Sequence, residues 1–259
     1  MITSKHNPKV QWVRELQVHA NQRKEQQVFV VEGVRLVEEA LLTGQEVRLV
    51  FHTGDLDERG QGLITGFAER GFPVEEVTPQ VMRAVSDTQT PQGILAVLHI
   101  PRMPLPKNLS LVFIPDGVRD PGNLGSMLRT AAAAGVDVVF LPPGTVDGYA
   151  SKVVRAAMGA HFRLPVRQAS WEDIRSLVRK AGLQVFLAEA GSGQIYTRTD
   201  FRSPLALVVG GEAEGASEAA RELAEDRVSI PLLGGVESLN VGIAAAVLLF
   251  EVVRQRSGH

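Results

Sequence analysis

Residues 111–141 read LVFIPDGVRDPGNLGSMLRTAAAAGVDVVFL. The stretch opens and closes with a short apolar run, at 111–115 and 138–141, and the alanine-rich segment 124–134 between them has the composition of a helix. Apolar strands that alternate with helices are typical of a parallel sheet that helices cover on both faces. This stretch therefore predicts an α/β fold.

The same alternation continues towards the end of the chain. It predicts further strands at 184–189, 205–210 and 228–231, and helices at 150–158, 171–181, 217–225 and 241–255. In such sheets ligands bind beyond the carboxyl ends of the strands. The loops expected to carry a site are 116–123, 142–147, 210–215 and 232–240, which are rich in glycine or polar side chains.

A proline-rich segment, IPRMPLPKN at 100–108, predicts a semi-rigid linker between two domains, 1–99 and 109–259. In the first domain the pattern predicts helices at 8–19, 33–43 and 61–70, and strands at 28–31, 47–51, 73–77 and 93–98. This part is expected to be a small α/β domain.

The composition is that of a soluble globular protein and excludes several chemistries. The chain has 259 residues and no cysteine, so disulfides, thiolate zinc sites and cysteine nucleophiles are excluded. Its six histidines are too scattered for a metal motif, and no metal is expected. The polar start lacks a signal-peptide core, and the apolar stretch 240–254 is too short to span a bilayer. We expect a cytoplasmic protein without a membrane segment.

Basic side chains are concentrated in two segments, although the net charge is only −2. Residues 1–35 carry more basic than acidic groups, and 148–171 contains four basic side chains and no carboxylate. Such local patches suit a polyanion held at chosen places, and an ordinary solvated surface is the alternative for each. The candidate contacts to such a polyanion are Lys5, Arg23, Lys24, Arg35, Lys152, Arg155 and Arg163.

The segment DPGNLGSMLRTA, residues 120–131, combines a turn with the start of a helix. Asn123 is predicted to cap this helix, because its side-chain oxygen can accept a hydrogen bond from a free backbone N–H. Arg129 follows in an otherwise apolar, alanine-rich context. A functional arginine and a simple surface arginine both remain open at this point.

Two further segments place polar groups beside bare backbone. LVVGGEAEG, residues 207–215, lacks the fingerprints of phosphate-binding loops, and Glu212 and Glu214 would repel a diphosphate. A neutral or cationic ligand suits it better, and an ordinary strand-to-helix turn is the alternative. Ser238 and Asn240 precede a helix that is apolar almost all round, where helix capping and ligand binding are both open.

Together and in order, these segments resemble the three motifs of the SpoU/TrmH-type RNA ribose 2′-O-methyltransferases, within the SPOUT superfamily. The first motif matches Asn123-Leu124-Gly125 with Arg129-Thr130-Ala131, the second Gly210, Glu212 and Gly215, and the third Ile230-Pro231 with Ser238-Leu239-Asn240-Val241. The N-terminal part, with SKHNPKV, FVVEG and TPQGILAV, is more loosely similar to the ribosomal-protein-L30-like substrate domain of rRNA-directed members. One departure is Gly242, where a serine commonly follows the Asn-Val pair.

The resemblance implies a trefoil-knotted α/β domain that forms homodimers through the C-terminal domain and uses S-adenosylmethionine. It implies Arg129 as the catalytic residue, assisted by Asn123, Glu212, Ser238 and Asn240, and a cofactor site at Gly210, Gly211, Ile230, Leu239, Leu141 and Gly215. The L30-like part favours rRNA, 23S rRNA in particular, over tRNA. A base-methylating SPOUT enzyme, a non-catalytic RNA-binding homologue and a generic nucleotide-binding domain are the alternatives.

Overall fold

The computed structural model describes residues 1–211 and 215–258. The chain forms two compact units. One consists of Met1–Arg102 and Tyr149–Phe162, and the other of Met103–Gly148 and Arg163–His259. The change from the first unit to the second thus falls within the proline-rich segment 100–108.

The first unit is built on a mixed sheet. Its strands are β1 (Val28–Glu32), β2 (Val47–His52), β3 (Val74–Glu76) and β4 (Ile94–His99), and its helices include α1 (Pro8–Val18), α2 (Ala20–Gln26), α3 (Val34–Leu42), α4 (Glu58–Glu69) and α5 (Pro79–Val85). The strand order is β1-β4-β2-β3, with β4 antiparallel to both of its neighbours and β3 parallel to β2. Apolar clusters are buried on this sheet, as the alternating pattern predicts for a small α/β domain.

Side-chain caps determine where several of these helices begin. Asn7 Oδ1 accepts a hydrogen bond from Lys9 N over 2.9 Å, and α1 starts at the next residue, Pro8. Asp57 Oδ1 accepts one from Gly60 N over 2.7 Å, so α4 begins earlier than the predicted start at 61. The short helices α2 and α5 were missing from the sequence prediction, because neither is long enough to show a helical period.

The second unit contains a parallel sheet. Its elements are β5 (Leu111–Asp116), α6 (Pro121–Ala133), β6 (Val138–Leu141), β7 (Val166–Gln168), α8 (Trp171–Ala181), β8 (Gln184–Ala188), β9 (Gln194–Ile195), β10 (Leu205–Gly210), α9 (Glu218–Leu223), β11 (Asp226–Ser229) and α10 (Val241–Arg256). The strand order is β7-β6-β5-β10-β8-β11-β9, and each of these neighbouring pairs is parallel. This order confirms the predicted parallel α/β architecture, and α10 packs on α6 and β10.

The segment 149–162, predicted to continue the second domain, packs with the first unit instead. It contains α7 (Ser151–Ala157), which follows β6 along the chain. The ring of Phe29 on β1 lies 5.1 Å from that of Tyr149 and 6.4 Å from that of Phe162, measured between centroids. Aromatic contacts of this kind depend on partners far apart in sequence, so the local pattern could not reveal them.

Candidate functional site

A cavity of about 420 Å³ lies at the carboxyl ends of β8 and β10 in the second unit. Its lining consists of Ala188, Glu189, Ala190, Val209, Gly210, Gly211, Gly215, Ala216, Val228, Ile230, Leu232, Ser238, Leu239, Asn240, Val241, Ala244 and Leu248. Two of the loops expected from the sequence, 210–215 and 232–240, therefore contribute to one pocket. Its position follows the general rule for ligand sites in parallel sheets.

Glycine is required where β10 enters this pocket, because the neighbouring backbone leaves no room for a side chain. A Cβ atom on Gly210 would lie 2.5 Å from Ala216 N and 2.7 Å from Gly215 C, and one on Gly211 would collide with Gly117 O. The pocket wall is therefore bare backbone at this point. Glu212, predicted to belong to the site, lies outside the described residues.

Asn240 is both a helix cap and part of the pocket lining. Its Oδ1 accepts hydrogen bonds from Gly242 N over 2.9 Å and Ile243 N over 3.3 Å, which caps α10. Its Nδ2 donates to Asn123 Oδ1 over 3.0 Å. The two alternatives that the sequence left open, capping and a place in the site, are thus compatible in one residue.

The prediction that Asn123 caps α6 is wrong. Asp120 is the N-cap, since its Oδ1 accepts a hydrogen bond from Asn123 N over 2.8 Å, and Asn123 lies within the first helical turn. Because Asp120 and not Asn123 caps the helix, the Asn123 side chain can accept the hydrogen bond from Asn240. An aspartate that precedes proline is an equally good capping residue, and it places the cap three positions before Asn123.

The remaining predicted cofactor residues are divided between the pocket and the sheet. Ile230 and Leu239 line the pocket, and Leu239 is 37% exposed. Ser238, predicted to assist Arg129 in catalysis, lines the same pocket. Leu141 does not line it, because it ends β6, and β5 separates this strand from β10. Leu141 is buried and packs close to Gly148.

Arg129 is exposed near the middle of α6. The spacing of three residues places it on the same helix face as Asn123 and Ser126. It makes no hydrogen bond or ion pair with any residue in the described part of the chain. Its guanidinium is therefore available to an external partner.

Two carboxylates near the pocket were missed by the sequence analysis. Asp116, at the end of β5, is 1% exposed, and its Oδ2 accepts a hydrogen bond from Ser217 N over 2.6 Å. Glu189 lines the pocket and forms ion pairs with Arg221 over 3.3 Å and Arg227 over 3.0 Å. The sequence does give one indication for Asp116, because it is a polar residue at the end of an apolar strand. It is also the first residue of loop 116–123, which was expected to carry a site.

The predicted RNA-contacting residues fall into two groups. Five of them are exposed, namely Lys5, Lys24, Arg35, Lys152 and Arg163. Arg23 is 4% exposed, and its guanidinium donates to the backbone carbonyls of Leu16 and Gln17, so it holds the α1–α2 junction together. Arg155 is paired with Asp87, with 2.8 Å between Nη1 and Oδ2.

Neither a metal cluster nor a membrane-spanning helix is found in residues 1–211 and 215–258. These residues contain no group of three or more side chains suited to hold a metal ion. Their helices are too short or too polar to cross a bilayer.

Comparisons with known proteins agree with this geometry. Residues 110–250 match the model of the SpoU rRNA methylase family, and residues 7–96 match that of the MRM3-like substrate binding domain. The chain is 34% identical to the 23S rRNA (guanosine(2553)-2′-O)-methyltransferase RlmP of Bacillus subtilis, over 97% of this chain and 98% of the relative.

The chain is also similar to solved structures of methyltransferases. An AdoMet-bound rRNA methyltransferase from Sinorhizobium meliloti is 31% identical, with a TM-score of 0.86 and coverage of 98% of this chain and 97% of that one. The SpoU methyltransferase AviRb from Streptomyces viridochromogenes, in complex with AdoMet, is 28% identical, with a TM-score of 0.84 and coverage of 97% and 99%.

Proposed function

The chain belongs to the SpoU rRNA methylase family, and from this premise we propose that it transfers a methyl group from S-adenosylmethionine to a ribose 2′-hydroxyl of 23S rRNA. The observation that carries the proposal is the pocket at Gly210, whose wall is linked through Asn240 to Asn123 on the helix that bears Arg129. The pocket proposed for the methyl donor and the guanidinium of Arg129 thus lie on two elements that are joined by a hydrogen bond.

The pocket fits S-adenosylmethionine in size and chemistry. About 420 Å³ is within the usual range for small-ligand sites, and an apolar lining with few polar groups is their usual composition. We assign the cofactor contacts to backbone groups of Gly210, Ile230 and Leu239. When bound, the cofactor supplies an activated methyl group on a sulfonium centre, and neither acid catalysis nor a metal is required of the protein.

We assign Arg129 to contacts with the RNA substrate at the reacting ribose. A ribose hydroxyl is a weak nucleophile until its proton is removed, and an arginine with a pKa above about 12 is a poor base at neutral pH. A guanidinium can instead hold an RNA phosphate and the hydroxyl together through its planar set of donors. In this proposal Arg129 fixes both groups in place, and the hydroxyl oxygen loses its proton to solvent water as it attacks the methyl group and S-adenosylhomocysteine leaves.

The name of the Bacillus relative specifies a guanosine of 23S rRNA, and we propose a guanosine of 23S rRNA as the target here. The match of residues 7–96 to a substrate binding domain supports an RNA-binding role for the first unit. Of the predicted contacts, Lys5, Lys24, Arg35, Lys152 and Arg163 are retained, because they are exposed.

We further propose a cytoplasmic homodimer whose C-terminal unit carries the family's trefoil knot. The support for dimerisation is a set of exposed apolar side chains in that unit, Leu233, Val236, Ile243 and Phe250. Ile243 and Phe250 are separated by two helical turns and share one face of α10. Association would remove this face from water.

The function is tested by mapping 2′-O-methyl groups in total RNA from cells with and without the gene. One ribose methylation in 23S rRNA should disappear with the gene and return when purified protein and S-adenosylmethionine are added to the unmethylated RNA. A methyl group found on a base, or only on tRNA, would contradict the proposal, and so would an unchanged methylation pattern.

A further inference from the structure

The first unit contains a cavity of its own, between the loop that leads into β4 and the end of β2. It encloses about 330 Å³ and is lined by polar side chains, among them Asp55, Arg83, Gln89 and Gln92, together with the apolar Pro79 and Met82. The lining includes all four residues of the TPQG sequence, 90–93. None of these residues is used by the methyl-transfer site.

The loop beside this cavity, residues 87–93, is held in a fixed conformation by hydrogen bonds to Glu32 and Val34. The carboxylate of Glu32 accepts hydrogen bonds from Thr88 Oγ1 over 2.6 Å and from Asp87 N over 3.2 Å. Gln92 Oε1 accepts one from Val34 N over 2.9 Å. Because these contacts anchor both ends of the loop, its tip is presented with little conformational freedom left to lose on binding.

The closing residue of the loop is also constrained. Gly93 has a positive φ of 78°, and its carbonyl accepts a hydrogen bond from Thr53 N over 2.8 Å. A Cβ atom there would collide with Thr53 Oγ1. Glycine therefore lets the loop lie directly against the end of β2 and close one side of the cavity.

The side chains at the mouth of this cavity have unused polar groups. Asp55, Arg83, Gln89 and Thr90 are exposed, and their side chains make no hydrogen bond or ion pair with other residues in the described ranges. One carboxylate, one guanidinium and an amide together offer both acceptors and donors. The edge of a nucleobase presents both as well, whereas the carboxylate of Asp55 would repel a phosphate.

The apolar part of the lining suits the faces of a base. Pro79, Met82 and Pro91 contribute carbon surface to the cavity, and a flat ring gains from such contact while its edge is hydrogen-bonded. Sequence-specific proteins commonly recognise RNA through unpaired bases that are splayed out of the helix. We propose that this cavity binds an unpaired base of the RNA substrate, with Arg83 and Gln89 at the base edge.

The proposal rests on the proposed function for its ligand, and it is tested by RNA binding rather than by methylation. The probe is radiolabelled, deproteinised 23S rRNA, measured by filter binding in excess double-stranded RNA competitor. We expect Arg83→Ala and Gln89→Ala each to weaken binding by about tenfold, the effect of one lost base contact. Arg48→Ala is the charge-matched control, because Arg48 is exposed near the start of β2 and does not line the cavity.

The salt dependence separates a base contact from a phosphate contact. Losing a phosphate contact lowers the slope of log affinity against log salt by about one, so Gln89→Ala should lower the affinity and leave the slope unchanged. The base site would be overturned if Arg83→Ala and Arg48→Ala lost the same RNA affinity, or if both cavity variants bound RNA as the wild type does. In either case methylation by the wild type would still support the proposed methyltransferase function. Absence of methylation by the wild type, with the cavity variants still weakened, would instead refute the proposed function alone.

Discussion

The side-chain amide of Asn240 donates a hydrogen bond to Asn123 Oδ1 over 3.0 Å, across 117 positions of sequence. This contact joins the first turns of α10 and α6. Asn240 lines the pocket, and Asn123 shares a helix face with Arg129. The bond therefore connects the proposed cofactor wall to the helix that carries the proposed catalytic arginine.

Substitution of Asn240 should separate its two roles. Asn240→Ala removes the cap of α10 and the bond to Asn123, and we expect a loss of about 1 kcal/mol in the free energy of unfolding, as for other helix caps. Asn240→Asp keeps an oxygen for the cap but places a carboxylate against Asn123 Oδ1. Denaturant unfolding should show near-normal stability for Asn240→Asp, and a methylation assay should show reduced activity. Equal stability losses in both variants would contradict this division.

Gly210→Ala should abolish cofactor binding by displacing the turn after β10. The added Cβ would lie 2.5 Å from Ala216 N, which is backbone and cannot rotate away. The matched control is Gly234→Ala, since a Cβ there meets no atom within 4 Å. Calorimetry with S-adenosylmethionine should show binding only in the control, and unchanged affinity in Gly210→Ala would place the pocket elsewhere.

The sequence predicted the strands of the second unit because their apolar runs are local and bounded by glycine or proline. Residues 138–141 and 205–210 were predicted with the bounds that the structure has. The burial of Arg23 and Asp116 could not be predicted from local patterns. The burial of Arg23 depends on the α1–α2 junction, and that of Asp116 depends on Ser217, which is distant in sequence. Local patterns predict elements, whereas the environment of a charged side chain is set by tertiary neighbours.

Acidification should weaken the contribution of Glu251 to stability. Hydrogen bonding from Arg254 lowers the pKa of this carboxyl, which is 7% exposed. A lowered folded-state pKa stabilises the protein above the unfolded value of about 4.5, and this stabilisation is lost as the pH falls through the folded value. The difference in unfolding free energy between wild type and Glu251→Gln should thus shrink as the pH falls below about 4.5.

The proposed dimer should dissociate when charge is placed on α10. Phe250 is 48% exposed and would be buried by the partner, so Phe250→Asp should put a carboxylate into an apolar interface at high cost. Light scattering should report the wild type at twice the chain mass of 28.0 kDa and the variant at the chain mass. Leu42→Asp is the control, because Leu42 is 77% exposed but lies in the first unit. A wild type of 28.0 kDa at micromolar concentration would refute the dimer.

Substitution of Arg129 should separate catalysis from binding. Its side chain is exposed and has no partner among the described residues, so Arg129→Ala should fold and bind S-adenosylmethionine as the wild type does. We expect the rate of methyl transfer to fall by at least about 100-fold, the usual size of an effect on proton transfer. Single-turnover methylation at saturating RNA measures this step. Arg179→Ala, which removes an exposed arginine from α8, is the matched control and should keep the wild-type rate.

The lysine variant tests why an arginine is needed at this position. Arg129→Lys keeps the charge but has a point-like ammonium in place of the planar guanidinium, which can hold a phosphate and a hydroxyl at the same time. If holding both groups is the function of Arg129, the lysine variant should bind RNA nearly normally and remain slow at saturating RNA. If it regains the wild-type rate, positive charge alone is sufficient. A near-normal rate for Arg129→Ala under the same conditions would mean that Arg129 only binds RNA, and the catalytic assignment would then be wrong.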